Sequence, residues 1–219
     1  MPSPKKISDI KPLLTNVAKT SHYQVQFGGL HGTLMKYLSE RDISQRFITE
    51  DAGLLCSSAS LPGSSLATAD INGNRMGVSE KMAHTRIFSD ISLEFYVDSD
   101  YRILNFLEHW IEFASNGHWK TDGTGKNMID KAYYYRMRYP SEYKCESTKI
   151  YKFDNGFDRM IEYTFYGMFP INLSSLPVSY QSSDVLRVSA SFNFERYIAG
   201  STYSQNRYLG TSGNRGIRP

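Results

Sequence analysis

The side chains that could do chemistry in this chain are scattered, and one glycine-rich run is the clearest place to start. Gly123-Thr124-Gly125-Lys126 is similar to a phosphate-binding loop, in which backbone N–H groups and a lysine hold phosphate oxygens. The first glycine of that motif is misplaced here, and Asn127 stands where serine or threonine would bind Mg²⁺. We therefore predict no nucleotide site.

Histidine and cysteine are the usual metal ligands and nucleophiles, and neither forms a recognisable set. No two histidines stand at the i, i+4 spacing of a metal-binding helix. The five are His22, His31, His84, His109 and His118. Cys56 and Cys145 match neither a zinc spacing nor a disulfide framework, and both lie in strand-like segments where a small buried thiol is usual. We expect no metal site and no cysteine nucleophile.

Two carboxylates and two tryptophans complete the candidates. Asp98 and Asp100 could form an acid–base pair or a cation site, but they precede a helix whose positive end favours acidic residues. Trp119 and Trp110 could stack on a ligand, although Trp110 falls on the apolar face of that helix and is expected in the core. We predict no catalytic residue and no cofactor, so the chain is not expected to be an enzyme.

The overall composition indicates a globular protein. The 219 residues are 40% hydrophobic and 21% charged, with a formal net charge of +3, which suits one domain with a sizeable core. No apolar run approaches the roughly 18 residues of a membrane helix, and no apolar segment follows the N-terminus as in a secretory signal. Because the two cysteines form no disulfide framework, we expect synthesis in a reducing cytosol.

Charge is distributed unevenly along the chain. Residues 1–20 carry +3 and residues 196–219 carry +4, which leaves −4 for residues 21–195. Basic ends could be nucleic-acid arms, but their charge density favours flexible termini that order on a partner.

Alternating apolar residues predict a mainly β protein rich in Tyr and Phe. Pro170 is expected to stop strand pairing, and Asp154-Asn155-Gly156 is a strong hairpin signal. Further turns are expected at Leu61-Pro62-Gly63 and Asn72-Gly73-Asn74, each beside an extended segment. The other predicted strands are 23–27, 56–60, 91–97, 143–153, 157–169 and 186–194.

One amphipathic helix is predicted over residues 102–115, with Ser99 as its N-cap and Asn116-Gly117 as its C-terminal stop. Residues 33–50 suggest a short surface helix or an ordered insertion, and residues 118–131 a loop. After Tyr197 the composition loses its apolar period, which predicts an extension without its own core.

Several motifs, taken in chain order, resemble the tail tube protein family of T4-like contractile-tailed phages. The likeness covers about residues 20–30 and 52–197, and the shared order is more specific than any single motif. The motifs are Ala59-Ser60-Leu61-Pro62-Gly63, Arg86-Ile87-Phe88-Ser89-Asp90, Phe95 through Asp98, the Trp110 helix, Tyr163-Thr164-Phe165-Tyr166-Gly167-Met168-Phe169-Pro170 and Ser189-Ala190-Ser191-Phe192.

The resemblance implies an antiparallel β-sandwich or barrel with one packed helix, closing into hexameric rings that stack into a tube. The partners implied are other copies of the chain, sheath and baseplate proteins, and genomic DNA passing without sequence specificity. The strands near 143–169 are candidates for the shared tube wall, and the negative central region fits a polar or acidic lumen. The expected location is the tail of a virion, after synthesis in the host bacterial cytoplasm.

The resemblance also implies a division of the chain and leaves alternatives open. We expect an N-terminal arm over 1–20, a tail-tube-like domain over 21–197 with an insertion near 31–52, and an extension over 198–219. The insertion and the extension have no counterpart in the compact family pattern, so a baseplate or tube-initiating protein is one alternative. The tube of a bacterial contractile injection system is another. The extension could add a strand or clamp to a neighbour, or be a disordered end.

Overall fold

The computed structural model describes residues 17–73, 77–115, 137–176, 178–180 and 184–203. It also describes Ile7, Lys11 and two paired two-residue strands, Lys120–Thr121 and Asn127–Met128. The expected N-terminal arm lies mostly outside these residues. So do the glycine-rich run at 123–126, His118, Trp119, the expected helix stop at 116–117 and residues 204–219.

Two four-stranded antiparallel sheets form a sandwich, which confirms the mainly β prediction. The strands, numbered in chain order, are β1 (Tyr23–Gln26), β2 (Cys56–Ala59), β5 (Ile91–Tyr96), β8 (Thr148–Phe153), β9 (Arg159–Tyr166), β10 (Phe169–Leu173), β11 (Arg187–Asn193) and β12 (Arg196–Tyr203). Sheet A has the order β1-β8-β9-β12 and sheet B the order β10-β11-β5-β2. The remaining strands, β3 (Ser64–Ile71) and β4 (Glu80–Phe88), form a separate hairpin, and β6 and β7 are the two-residue strands.

The two sheets share a corner, because two long strands pass from one sheet into the other. β9 continues into β10 through Gly167, and β11 continues into β12 through Phe194 and Glu195. Since β9 pairs with β12 and β10 pairs with β11, one long hairpin folds over between the sheets. The prediction that Pro170 ends pairing is wrong. Pro170 lies opposite Phe192 on an edge strand, where a missing N–H is tolerated.

The core lies between the sheets and is centred on aromatic rings. Phe27, just after β1, is fully buried, and its ring centroid lies 6.2 Å from that of Phe95 on β5 and 6.0 Å from that of Phe192 on β11. Alternate residues of β5 and β11 are buried as the sequence pattern predicted. These side chains tie sheet B to the first strand of sheet A.

The sequence left a short surface helix or an ordered insertion open for residues 33–50. The structure shows an ordered helical segment whose apolar side chains join the core. It contains α1 (Gly32–Ser39), a π-helical turn (Phe47–Asp51) and α2 (Ala52–Leu54). The side chains of Leu34, Leu38, Ile43, Phe47, Ile48 and Ala52 are all at most 2% exposed. Their burial provides the free energy that holds this segment against the sandwich.

The long helix α3 (Arg102–Ser115) buries the predicted apolar face, and Trp110 is fully buried. Its indole Nε1 donates to the carbonyl of Tyr143 at 2.8 Å. The prediction of Ser99 as the cap is wrong, because the carboxylate of Asp98 accepts the Arg102 N–H at 2.9 Å. Tyr101 has a φ of 56°, so the chain turns sharply before the helix and the cap comes from four residues upstream.

Two strand boundaries differ from the prediction. β8 begins at Thr148 rather than 143, because Pro140 starts a short helix, α4 (Pro140–Tyr143), as proline favours the first helical turn. β12 continues to Tyr203, so the first six residues assigned to the C-terminal extension belong to sheet A. The turn at Asp154-Asn155-Gly156 joins β8 to β9 as predicted.

Candidate assembly interface

A separate hairpin is the most exposed part of the described chain. β3 (Ser64–Ile71) pairs with β4 (Glu80–Phe88), and all but one residue in each strand are exposed. We call this hairpin the arm. A two-stranded hairpin alone is marginally stable in water, so further packing would stabilise the arm.

The two faces of the arm differ. Ile71, Met82 and Ile87 lie on one face with Ala67 and Ala69, and their side chains are each about half exposed, at 49%, 51% and 52%. We call this the free face. The residue opposite Ile71 on this face is Glu80.

The opposite face of the arm is mixed in character. It carries Leu66 with the charged residues Asp70, Lys81 and Arg86. The pairing register shifts between Ala67 and Thr68, so His84 has no partner in β3 and forms a bulge. The sequence predicted a turn between two extended segments here but assigned no function to these segments. Their apolar residues are sparse and face no core.

The base of the arm is anchored to sheet A through Arg86. Its guanidinium donates to Tyr197 Oη at 3.1 Å and to Ser64 Oγ at 3.2 Å. The guanidinium carbon also lies 5.0 Å from the ring centroid of Phe88 and 5.1 Å from that of Tyr197. The motif Arg86-Ile87-Phe88-Ser89-Asp90 is therefore the attachment of the arm to the sandwich.

The second motif, around Gly167, builds the corner between the sheets. Gly167 has a φ of 67°, and an added Cβ would lie 2.9 Å from side-chain carbons of Glu195. The Glu195 carboxylate accepts a hydrogen bond from Lys144 Nζ at 2.7 Å, which lowers the pKa of that carboxyl below its usual range. Glycine at this position lets both long strands bend together.

Sheet A has two unpaired edges and one solvent-facing surface. β1 and β12 each have a partner on one side only within the described chain. On the surface facing away from the core, Lys149 Nζ lies 2.8 Å from Glu162 Oε1. This hydrogen bond lowers the pKa of Glu162 and raises that of Lys149. Gln26 and Tyr151 are hydrogen-bonded neighbours on the same face.

A groove of 720 Å³ opens where β1 and β2 face each other across the sandwich. The lining residues include Tyr23, Ala59, Leu61, Lys19 and Lys152, together with the fully buried Ile150. The Tyr23 hydroxyl donates to the Cys56 carbonyl at 2.9 Å, and burial raises the pKa of Tyr23 to about 12. Lys152 Nζ donates to the carbonyls of Ser21 and Phe153 at 2.7 and 2.8 Å.

The histidines considered as ligands lie apart and are engaged locally. His31 Nδ1 accepts the Thr33 N–H at the start of α1, and His109 Nδ1 lies 2.8 Å from Glu112 Oε2. The ring of His22 contacts the ring of Phe157 edge-on. His84 Nδ1 lies 2.8 Å from Thr85 Oγ1. Across the described ranges, no three His, Cys, Asp or Glu side chains come together in a way that could hold a metal ion.

The cysteines and acidic residues are likewise dispersed. Cys145 is fully buried beside Thr148, with 3.1 Å between Sγ and Oγ1, and burial raises the pKa of its thiol. Cys56 is half-buried on β2, and burial raises its pKa to about 12. Asp98 caps α3, and both Asp98 and Asp100 pair with Arg102 rather than forming an acid–base pair.

The fold and these exposed surfaces are typical of a structural subunit. The phage tail tube protein family model matches residues 18–200, and the chain belongs to that family. This confirms the resemblance seen in the motifs. The chain is thus, by family, a phage tail tube protein.

Solved structures of contractile machines share this fold. A chain from the PVC sheath–tube complex of an extracellular contractile injection system has a TM-score of 0.54 and 14% identity, covering 91% of this chain and 100% of that chain. A chain from the tube-terminating cap of the anti-feeding prophage has a TM-score of 0.50 and 14% identity, covering 85% and 92%. No curated protein sequence matches this chain. None of the helices in the described residues is long and apolar enough to span a membrane.

Proposed function

We propose that this protein is the repeating subunit of a phage tail tube, in which six copies close a ring and stacked rings conduct DNA during ejection. The observation that carries the proposal is the pair of open edges on sheet A. β1 and β12 run in opposite directions, so a rotated neighbour can place its β1 antiparallel to β12. Closure into a ring would remove both exposed edges.

In this arrangement sheet A is the tube wall. It contains β8 and β9, which lie within the segment 143–169 that the family resemblance implied for the wall. The solvent-facing surface of sheet A would then line the lumen. Its described charges are Lys149, Glu162 and Arg196, accompanied by Gln24 and Gln26. This mixture supports a polar lumen rather than an acidic one, and the paired Lys149 offers little free charge to retain phosphates.

Stacking of rings and contact with a sheath are the remaining parts of the proposal. The arm carries apolar side chains that are about half exposed, which suits a contact between copies. The fold is shared with a chain of a PVC sheath–tube complex, and this supports a sheath around the tube.

A second candidate is the tube of a bacterial contractile injection system, because the same fold occurs in the PVC complex. A tube-initiating or baseplate protein with this fold is a further candidate, since the fold also occurs at the end of a tube, in the cap of the anti-feeding prophage. Genes for capsid and DNA packaging beside the gene for this chain would favour the phage tube. Long uniform tubes would favour the repeating subunit over an initiating protein.

Negative-stain electron microscopy with sedimentation of the purified protein tests the assembly. We expect sixfold rings or hollow tubes. A mixture of Gln26→Cys and Ile198→Cys variants, on opposite edges of sheet A, is expected to form disulfide-linked dimers on oxidation. Gln26→Cys mixed with Ser92→Cys, on the outer face of sheet B, is the matched control. A lumen lined mainly by Lys and Arg in a map of the tube would contradict the DNA conduit.

A further inference from the structure

We infer that Arg196 is the residue through which the tube wall contacts the phosphate backbone of passing DNA, and that Glu162 prevents Lys149 from making the same contact. The inference rests on the proposed function, in which the solvent-facing surface of sheet A lines the lumen. It assigns opposite roles to two basic side chains that share one surface.

The register of sheet A places both cations on that surface. Phe165 of β9 is fully buried, so the next residue, Tyr166, faces away from the core. Arg196 of β12 lies opposite Tyr166 and therefore shares its side of the sheet. Ile150 of β8 is also fully buried, which places the preceding residue, Lys149, on the same side.

Lys149 is neutralised by an acid on the neighbouring strand. Its Nζ lies 2.8 Å from Oε1 of Glu162. Thr164 Oγ1 donates to the same carboxylate at 2.9 Å, which helps to hold the carboxylate beside the lysine. The hydrogen bond between lysine and carboxylate lowers the pKa of Glu162 and raises that of Lys149, so both stay charged at neutral pH. A cation that is already paired adds little to the binding of phosphates.

Arg196 is exposed and is not neutralised in this way. No ion pair within the described part of the chain includes it. The carboxylate next to it in sequence, that of Glu195, accepts a hydrogen bond from Lys144 instead, at 2.7 Å. The guanidinium carbon of Arg196 lies 5.1 Å from the ring centroid of Tyr166, a contact that orients the side chain and leaves its charge uncompensated. A guanidinium of this kind is well suited to phosphate oxygens.

Ring closure would leave Arg196 accessible. Pairing of β12 with β1 of a neighbour uses backbone groups at the strand edge, whereas the Arg196 side chain projects from the surface of the sheet. Because the copies are related by rotation, each would place its arginine at the same level of the lumen. One uncompensated cation per copy gives a contact that is independent of base sequence and weakens with salt, and it retains DNA less than two would.

Variants of assembled tubes test the two roles. Binding of a short linear DNA duplex is measured by co-sedimentation with the tubes over a series of salt concentrations. We expect Arg196→Gln to weaken binding at low salt about tenfold and to reduce its salt dependence. We expect Glu162→Gln, which releases Lys149, to strengthen binding about tenfold. The double variant Lys149→Gln/Glu162→Gln, which removes the whole pair, should stay within about twofold of wild type.

Arg187 provides the matched control on a surface that does not face the lumen. It lies on the outer face of sheet B, with its guanidinium carbon 5.2 Å from the ring centroid of Tyr96 and its Nη1 3.9 Å from Glu94 Oε1. Arg187→Gln should leave DNA binding within about twofold of wild type. Arg196→Lys keeps the charge and should retain most of the binding, which separates the charge of Arg196 from its contact with Tyr166.

Electron microscopy checks that each variant forms tubes. Equal losses from Arg196→Gln and Arg187→Gln would place the DNA contact outside the lumen and overturn the inference. A Glu162→Gln tube that binds DNA no more tightly than wild type also overturns it, and this comparison decides alone if Arg196→Gln forms no tubes. In either case wild-type tubes leave the proposed assembly standing. A wild-type protein that stays monomeric at all concentrations overturns the proposed function and the inference with it.

Discussion

The guanidinium of Arg86 donates a hydrogen bond of 3.1 Å to the hydroxyl of Tyr197, which lies 111 residues later in the chain. The contact joins the base of the arm to the last strand of sheet A. It therefore couples the two features most suited to contact other copies, the projecting hairpin and an open sheet edge.

Removing this anchor should loosen the arm without unfolding the sandwich. Arg86→Ala loses two hydrogen bonds and two ring contacts at an exposed site, together worth about 1–2 kcal/mol. We expect amide hydrogen exchange across residues 64–88 to quicken about tenfold, measured by mass spectrometry. Arg46→Ala, which removes an exposed pair with Glu50, is the control and should leave the arm unchanged. Unaltered exchange in Arg86→Ala would show that other contacts hold the arm.

Gly53 is expected to be intolerant of any side chain. A Cβ at this position would collide with the carbonyl oxygen of Val25 on β1, and backbone cannot move aside cheaply. Gly53→Ala should lower the free energy of unfolding by about 3 kcal/mol, measured by urea denaturation. At Gly32, at the start of α1, an added Cβ meets nothing within 4 Å. Gly32→Ala should therefore change stability by less than about 0.5 kcal/mol. Equal losses in both variants would contradict the close approach at Gly53.

Both thiols should be unreactive in the folded protein. Burial raises the pKa of Cys56 from 9.0 to about 12, which reduces the thiolate fraction near pH 8 about a thousandfold. Cys145 is fully buried, and its pKa is also raised. We expect slow reaction with a disulfide reagent at pH 8 in native protein and fast reaction of both thiols in guanidinium chloride. The Cys56→Ser variant shows whether any reaction in the native protein comes from Cys56 or from Cys145. Reaction at the rate of a free thiol would rule out the described burial.

The Lys149–Glu162 pair should make stability depend on pH. The hydrogen bond from Lys149 lowers the pKa of Glu162 below 4.5, so its contribution is complete above about pH 4.5 and is lost as pH falls through the lowered value. The raised pKa of Lys149 keeps the lysine charged throughout the neutral range.

We therefore expect Glu162→Gln to be less stable than wild type at pH 7, by less than about 1 kcal/mol because the pair is partly exposed. The difference should narrow as the pH is lowered from 7 to below the reduced pKa of Glu162, as measured by urea midpoints. In a Lys149→Met background, the same substitution should have little effect at pH 7. A constant difference at both pH values would exclude this pair as its cause.

Local pattern predicted much of the secondary structure, and the reason is visible in single elements. Ile91, Leu93 and Phe95 alternate in the sequence and are all buried on β5, since a strand presents every second side chain to one face. The helical period around Trp110 located α3, because a helix presents residues three and four apart to one face. The predictions at Pro170 and Ser99 were wrong because of tertiary structure. It places Pro170 on an edge strand and makes Asp98 the cap of α3.

The candidate interface was less accessible from sequence. Arg86 and Phe88 were recognised as part of a family motif, but nothing in the spacing indicated that they anchor an arm to Tyr197. The free face of the arm escaped notice because Ile71, Met82 and Ile87 face no core and so carry no strong local period.

By itself the sequence determined the class of fold, the long helix, the hairpin at Asp154-Asn155-Gly156 and the family, because these are carried by patterns within about ten residues or by motif order. Only the tertiary structure decided which strands become the edges of sheet A, where the arm is attached and that Tyr23 and Leu61 line one groove. Those features depend on contacts between distant residues, which form only when every strand has found its register and its face.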